Sequence, residues 1–99
     1  MSLNDEERRR TAAELRANLA LSGLAPAEVQ ARLGFTDRQY AATLASDTPD
    51  PSDVWLLRDY LERSVVAIGR TPVPYTVLTE DARASAERWF GLRRPPATP

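Results

Sequence analysis

The sequence predicts a single all-α domain, a bundle of about five helices with a short extended segment before the last helix. Three observations lead to this fold class. Apolar residues recur at three- and four-residue spacing in separate stretches of the chain, which is the period of amphipathic helices. Residues that start or stop helices border each of these stretches. Prolines at positions 72 and 74 exclude a helix from the segment that precedes the last stretch.

Capping residues set the starts of the first three predicted helices. Asn4 or Asp5 is the expected N-cap of helix one. Pro26 suits the first position of helix two, and Thr36 is the expected N-cap of helix three. The predicted helices are residues 5–22, 26–33 and 37 to about 45. The residues predicted to face the core are Ala12, Leu15, Leu19, Ser22, Val29, Leu33, Phe35, Tyr40 and Leu44.

The fourth predicted helix has the most regular apolar spacing in the chain. It begins at Pro51, with Asp50 as its cap, and Gly69 stops it. Its regularity makes it the expected centre of the core. Helix five follows the cap Thr79 and spans residues 80–90. The residues of these two helices predicted to face the core are Val54, Leu57, Leu61, Val65, Ile68, Ala82, Ala86, Trp89 and Phe90.

Two segments of the chain are predicted to lack a helix. Residues 71–78 are extended and have two open placements. They pair with the same segment of a second copy across a dimer axis, or they lie as a strap over their own bundle. Residues 93–99 are expected to form a flexible tail with polyproline character, so that the domain spans residues 1–92.

Composition excludes several kinds of chemistry. The formal net charge is −1, no histidine or cysteine occurs, and all 13 cationic side chains are arginine. Disulfides, thiol nucleophiles, Schiff-base lysines and zinc sites therefore require residues that the chain lacks. We expect no catalytic residues, no cofactor, no metal and no enzyme activity. The chain shows neither a signal-peptide pattern nor an apolar run of membrane-spanning length, so we expect a cytoplasmic protein.

Charge runs in the sequence have structural explanations. The run Arg8–Arg10 suggests a phosphate site, but acidic residues four positions earlier predict ion pairs on a solvated helix face. The same four-residue spacing predicts that Asp59, the carboxylate beside Tyr60, pairs with an arginine. The predicted ion pairs are Asp5–Arg9, Glu6–Arg10 and Asp59–Arg63.

Acidic and aromatic residues that resemble ligand sites are likewise predicted to be structural. Asp47, Asp50 and Asp53 fail the calcium-loop pattern, because prolines occupy the positions of the next two ligands. We expect them to cap helices and form turns. Trp55 and Trp89 are expected to complete the core, although an exposed tryptophan would suit a nucleic-acid base or a protein partner.

Residues 25–46 have the layout of a helix-turn-helix. Two short helices bend at Gly34, and Thr36 is placed to start the second helix, which such a motif holds out toward the major groove of DNA. Arginine there binds guanine, alanines contact thymine methyl groups, and a threonine hydroxyl reaches phosphate. The candidate DNA-binding residues are Thr36, Arg38, Ala41, Ala42 and Arg32.

Two residues of the motif favour a competing interpretation. Gln30 occupies a position that is normally small, and Asp37 would be repelled by phosphates. The alternative is a protein-interaction module that keeps the scaffold but does not bind DNA, using residues 71–90 or the alanine face. Double-stranded DNA and a second copy of the chain are thus the expected partners under the first interpretation. DNA binding requires several arginines on one face, namely Arg32, Arg38 and one of Arg8–Arg10.

The chain resembles a small bacterial family of uncharacterised function. The resemblance extends from residue 1 to residue 92. It rests on the sequence motifs DVW and LRDYL within residues 53–61, PYTVLT at 74–79 and WF at 89–90. Residues 21–65 are also similar to the Cro and phage-repressor class of helix-turn-helix domains. That second resemblance implies a five-helix, often dimeric DNA-binding bundle. Its reading positions would be Thr36, Arg38, Ala41 and Ala42.

Overall fold

The computed structural model of the chain describes residues 3–97. Its helices are α1 (Asp5–Ser22), α2 (Pro26–Leu33), α3 (Asp37–Leu44), α4 (Pro51–Ala67) and α5 (Glu80–Phe90). No strand occurs between residues 3 and 97, so the predicted all-α fold with five helices is confirmed. None of these helices is both long enough and apolar enough to cross a bilayer. The outermost positions of the predicted domain and tail, 1, 2, 98 and 99, lie outside the described residues.

Hydrogen bonds close to the helix starts explain why the boundaries are predictable. The Glu7 N–H donates to Asn4 Oδ1 at 2.8 Å, and the Asn4 N–H donates to Glu7 Oε1 at 3.1 Å. This reciprocal pair is a capping box, and Thr36 opens α3 in the same way. Asp50 and Thr79 cap α4 and α5 with their side chains. Each of these bonds spans two or three residues, so the local sequence is sufficient to specify it.

Helix α4 lies at the centre of the core, where α1, α3 and α5 pack against it. Leu57, Tyr60 and Leu61 on α4 have no exposed surface. Burial of one such leucine contributes roughly 1.5–3 kcal/mol to the free energy of unfolding. The predicted core-facing residues of α1, α2 and α3 are all buried or half-buried, which confirms the helical periodicity there.

Two predicted core residues lie instead at the surface. Ile68 is 51% exposed and Trp89 is 68% exposed, so both predictions are wrong. The last helical residue of α4 is Ala67, and Ile68 is the cap at which the chain turns away from the core. In α5 the buried face runs from Ala86 to Phe90, four residues later. Trp89 lies about 100° around the helix from Phe90 and so points away from that face.

The extended segment at residues 71–78, here called the strap, lies over α1 of its own bundle. The buried Asn18 amide donates to the Val73 carbonyl at 3.0 Å and accepts from the Val73 N–H at 2.7 Å. The Glu14 carboxylate accepts from the Thr76 N–H at 3.2 Å and from its hydroxyl at 2.8 Å. These side chains satisfy strap backbone groups that a neighbouring strand would otherwise satisfy. Of the two open placements, the structure has the strap.

A buried arginine joins the strap to α4. Arg58 is 3% exposed, and its Nε donates to the Leu78 carbonyl oxygen at 2.8 Å. Its guanidinium lies 5.4 Å from the ring centroid of Trp55 and 4.7 Å from that of Tyr75. An Nη1–Oδ1 distance of 2.7 Å joins it to Asp59. A buried cation needs both hydrogen-bond acceptors and a countercharge, and this environment supplies them.

The carboxylate of Asp59 extends this connection to α5. It accepts from both terminal nitrogens of Arg83, at 2.9 and 2.7 Å. The predicted Asp59–Arg63 pair does not form, because the carboxylate points to α5 rather than along its own helix. The hydrogen bond to Asp59, followed by that to Glu80, raises the pKa of Arg83 further above its usual range. The Arg58 cluster is defined by Arg58, Asp59, Glu80 and Arg83.

The start of the predicted tail also contacts α4. Residues 93–97 form neither helix nor strand, yet Arg93 pairs with the buried carboxylate of Asp53, and Pro95 is buried. Asp53 therefore forms an ion pair with an arginine, whereas the sequence suggested only that it caps a helix or forms a turn. The Asp53–Arg93 pair holds the start of the tail against the bundle.

Substitution of Asn18 tests how the strap is held. Asn18→Ala leaves both Val73 backbone groups without their side-chain partners, so we expect a loss of about 2–4 kcal/mol in the free energy of unfolding. Asn4→Ala is the matched control, because it removes an exposed cap worth about 1 kcal/mol. Urea unfolding followed by circular dichroism measures both. A cost for Asn18→Ala no larger than that for Asn4→Ala would show that the strap does not depend on this amide.

The tyrosines predict a loss of stability in alkali. The chain has 3 tyrosines, and burial raises the pKa of Tyr40, Tyr60 and Tyr75, that of Tyr75 to about 12. Above a pH of about 10 the unfolded chain loses phenolic protons that the folded chain retains. The free energy of unfolding therefore falls as the pH rises toward about 12, where Tyr75 ionises in the folded chain. Each pKa unit of difference corresponds to about 1.4 kcal/mol per tyrosine. Tyrosinate absorbance and loss of helical circular dichroism should therefore appear together; tyrosinate formation near pH of about 10 with intact helices would contradict this.

Candidate functional site

Helices α2 and α3, with the turn between them, form a distinct unit that we call the α2–α3 unit (residues 26–44). Gly34 follows α2 with φ 71° and ψ 28°, a left-handed conformation that favours glycine. The Gly34 N–H donates to the Ala31 carbonyl at 3.2 Å, and the Phe35 N–H donates to the Gln30 carbonyl at 3.0 Å. This pair of bonds is a Schellman motif. It ends α2 abruptly and places Phe35 in the core, only two residues before α3 begins.

The orientation of α3 is fixed from its inner side. Val29, Phe35 and Tyr40 are buried, which anchors both helices of the unit to the core. The Gln39 side-chain amide donates to Asp53 Oδ2 at 3.0 Å and so joins the first turn of α3 to α4. With its inner face held in this way, α3 presents its opposite face to solvent.

The five candidate residues lie on accessible parts of this unit. Thr36, Arg38, Ala41 and Arg32 are exposed, and Ala42 is half-buried. Positions 38, 41, 42 and 45 follow helical three- and four-residue spacing and so share one face of α3. Three of these four residues, Arg38, Ala41 and Ala45, are exposed to solvent. The Thr36 hydroxyl oxygen accepts from the Gln39 N–H at 3.1 Å, and its own hydrogen is still available to an external acceptor.

The two residues that depart from the helix-turn-helix pattern are bonded to each other. Gln30 Nε2 donates to Asp37 Oδ1 at 2.7 Å across the turn. This bond gives Gln30 a defined role in joining α2 to α3. It also uses one oxygen of the Asp37 carboxylate, although the negative charge remains at the surface.

A shallow groove containing arginines lies beside the end of α3. Its volume is about 520 Å³, and its walls include Arg8, Arg9 and Arg16 of α1 together with Ala45. Ala45 is the C-cap of α3 and lies on the side of the helix that carries Arg38, so the groove adjoins the candidate residues. Arg8 is paired with Asp5 and Asp47, both at 3.3 Å.

The predicted pairing of the arginine run is only partly correct. Arg10 pairs with Glu6 at 2.7 Å, as predicted. Asp5 pairs with Arg8 rather than with Arg9, so the predicted Asp5–Arg9 pair is wrong. Within residues 3–97, neither Arg9 nor Arg16 has a carboxylate at ion-pair distance. Their seven-residue spacing places both on one side of α1, a signal in the sequence that the prediction did not use.

A second accessible surface lies beside α5. Two adjoining cavities of about 220 and 190 Å³ share Leu3, Trp55, Leu78 and Phe90 in their walls, and together they form one groove, the α5 groove. Trp89 stands at its edge. The sequence-based prediction missed this surface because it assigned Trp89 to the core.

The three acidic residues before and within α4 each have a different partner. Asp50 accepts from the Ser52 N–H at 3.0 Å as the cap of α4, Asp53 pairs with Arg93, and Asp47 pairs with Arg8. Among the described residues, no three metal-ligating side chains come together as a group that would hold a metal ion.

The fold and this unit define a class, a small all-α domain with an exposed, capped α3. Residues 1–91 match the family described as "Uncharacterized protein conserved in bacteria (DUF2316)". This match covers most of the chain, so the protein belongs to that family. The resemblance to an uncharacterised bacterial family is thereby confirmed. No curated protein and no solved structure matches the chain.

Proposed function

We propose that the protein is a cytoplasmic DNA-binding transcriptional regulator of the Cro and phage-repressor type, which inserts the exposed face of α3 into the major groove. One observation supports this above the others. Arg38 is exposed on a capped helix, with small alanines beside it and, within residues 3–97, no carboxylate at ion-pair distance. A guanidinium presented in this way suits bidentate binding of guanine.

The neighbours of Arg38 suit the rest of such an interface. Ala41 and Ala42 are small enough to let α3 approach the bases, and their methyl groups suit contact with thymine methyls. The Thr36 hydroxyl retains a hydrogen for a phosphate oxygen at the start of α3. The helix N-terminus adds a favourable partial positive charge there.

The distribution of arginines also supports the proposal. Arg58, Arg83 and Arg93 pair with carboxylates inside the fold. By contrast, Arg38 on α3 and Arg9 in the wall of the adjoining groove have no such partner among the described residues. Arg32 lies in the last turn of α2. A formal net charge of −1 gives little general attraction to DNA, so binding would depend on this local surface.

The competing proposal is a protein-interaction module, and the α5 groove favours it. Trp89 is 68% exposed beside an apolar groove, which is the kind of surface that another protein covers. This alternative requires no role for Arg38. The two proposals are therefore separable by variants on different helices.

Salt dependence and Arg38→Ala together test DNA binding. Phosphate contacts release counterions, so we expect the logarithm of affinity to fall with the logarithm of salt concentration with a slope on the order of −3 to −6. Arg38→Ala should weaken binding to a site selected from a random DNA pool by about 1–3 kcal/mol. Fluorescence anisotropy with labelled duplexes measures both quantities.

Arg63→Ala is the control, because Arg63 is exposed, lies on α4, and has no ion pair within the described chain. It should change affinity much less than Arg38→Ala. Equal losses from the two variants, or a salt-independent affinity, would contradict the proposed role of α3. An equal loss from Arg38→Ala on every duplex sequence would make Arg38 a phosphate contact rather than a base contact.

Asp37→Asn tests the same face by removing a repulsive charge. The asparagine side chain would retain an acceptor for Gln30 but carry no negative charge, so affinity for DNA should rise severalfold. Stability should fall by about 0.3–1 kcal/mol, since an acidic residue in the first turn favours the helix dipole. Anisotropy and thermal unfolding measure the two effects. Unchanged affinity at low salt would place Asp37 outside the DNA interface.

A further inference from the structure

The α5 groove leaves apolar side chains exposed to solvent among residues 3–97. It runs between α5, the strap and the start of α4, with Trp55, Leu78 and Phe90 in its walls. Trp89 at its edge is the most exposed of the large apolar side chains among residues 3–97. Tryptophan is among the residues that contribute most to protein–protein contacts.

The outer face of α5 carries an acidic residue near one end of the helix and a basic residue near the other. Asp81 lies in the first turn and Arg88 in the last turn, with Ser85 between them. Their spacing of four and three residues places all three on one side of the helix. Within the described chain neither Asp81 nor Arg88 has an ion-pair partner. Trp89 borders this face on the side of the groove.

From this arrangement we propose that a second copy of the chain covers the α5 groove, with the two α5 helices packed antiparallel about Ser85. In that orientation Asp81 of each copy meets Arg88 of the other, which forms two equivalent ion pairs. Both copies contribute the same surface, as a two-fold symmetric dimer requires.

The same pairing explains the position of Trp89. It brings Trp89 of the second copy to the beginning of α5 in the first, where Val77 and Ala82 line the groove. Each exposed tryptophan would thus cover apolar surface of the other copy. A parallel arrangement would instead set Asp81 against Asp81 and Arg88 against Arg88, and repulsion between like charges disfavours it.

Charge reversal at the two exposed positions tests this interface without disturbing the core. Arg88→Glu or Asp81→Arg alone replaces two attractions with two repulsions, so the dissociation constant of the dimer should rise about tenfold or more. The double variant Asp81→Arg/Arg88→Glu restores opposite charges and should return the dissociation constant to near the wild-type value. Sedimentation equilibrium measures the constants, and circular dichroism checks that each variant is folded.

Cysteine cross-linking tests the helix orientation directly, because the chain contains no cysteine. Ser85→Cys places one thiol per copy beside the proposed two-fold axis and should form a disulfide-linked dimer under mild oxidation. Ala31→Cys, an exposed position on α2, is the control and should remain uncross-linked at the same protein concentration.

Three results would overturn the proposal. They are a wild-type chain that remains monomeric, a dimer unaffected by the single charge reversals, and a double variant that fails to recover the dimer. None of these measurements includes DNA, so they stand independently of the function proposed for α3. Recovery by the double variant, together with a disulfide cross-link in the Ser85→Cys variant, would support the antiparallel α5 dimer.

Discussion

The Arg58 cluster is the interaction on which the arrangement of the strap and α5 depends. Transfer of a guanidinium from water to a protein interior costs several kcal/mol unless it is paired and hydrogen-bonded. Here Arg58 lies against the rings of Trp55 and Tyr75, bonds the Leu78 carbonyl, and pairs with Asp59. The same carboxylate binds Arg83 of α5. These buried charges therefore join α5 and the end of the strap to α4, whereas Asn18 and Glu14 hold the middle of the strap to α1.

This dependence separates two groups of arginines with different roles. Arg58, Arg83 and Arg93 have buried or half-buried carboxylate partners and hold the strap, α5 and the start of the tail. Arg9 and Arg38 lie at the surface near α3, and among residues 3–97 they have no such partner. Net charge averages over both groups and so conceals the surface on which DNA binding is proposed. Because the surfaces proposed for DNA binding and for dimerisation lie on different helices, the proposed dimer would carry two free copies of α3, which would increase avidity for paired half-sites.

Prediction from the sequence succeeded where the interactions are local. The starts of α1, α3, α4 and α5 follow from side-chain caps such as Asn4 and Thr36, whose bonds reach only three residues along the chain, and α2 begins at Pro26 without such a bond. The exposure of Arg38 and the burial of Tyr40 follow from helical periodicity, because residues two apart point to different sides of a helix. The same reasoning predicted the candidate site. Once periodicity assigns the buried side of α3, the residues on its opposite side are expected to be exposed.

Prediction failed where a side chain chooses a partner that is distant in sequence. Nothing near Asn18 indicates that its amide binds Val73, and nothing near Asp59 indicates Arg83 rather than Arg63. Trp89 and Phe90 are adjacent apolar residues, and periodicity alone accepts either as the inward one.

The sequence by itself thus determined the helices, their order and the exposed side of α3, because short-range hydrogen bonds and the 3.6-residue period specify them. The tertiary structure alone decided which carboxylate each arginine binds, where the strap lies and which aromatic side chain remains at the surface. Those choices depend on distances between elements, which exist only after the core has assembled around α4.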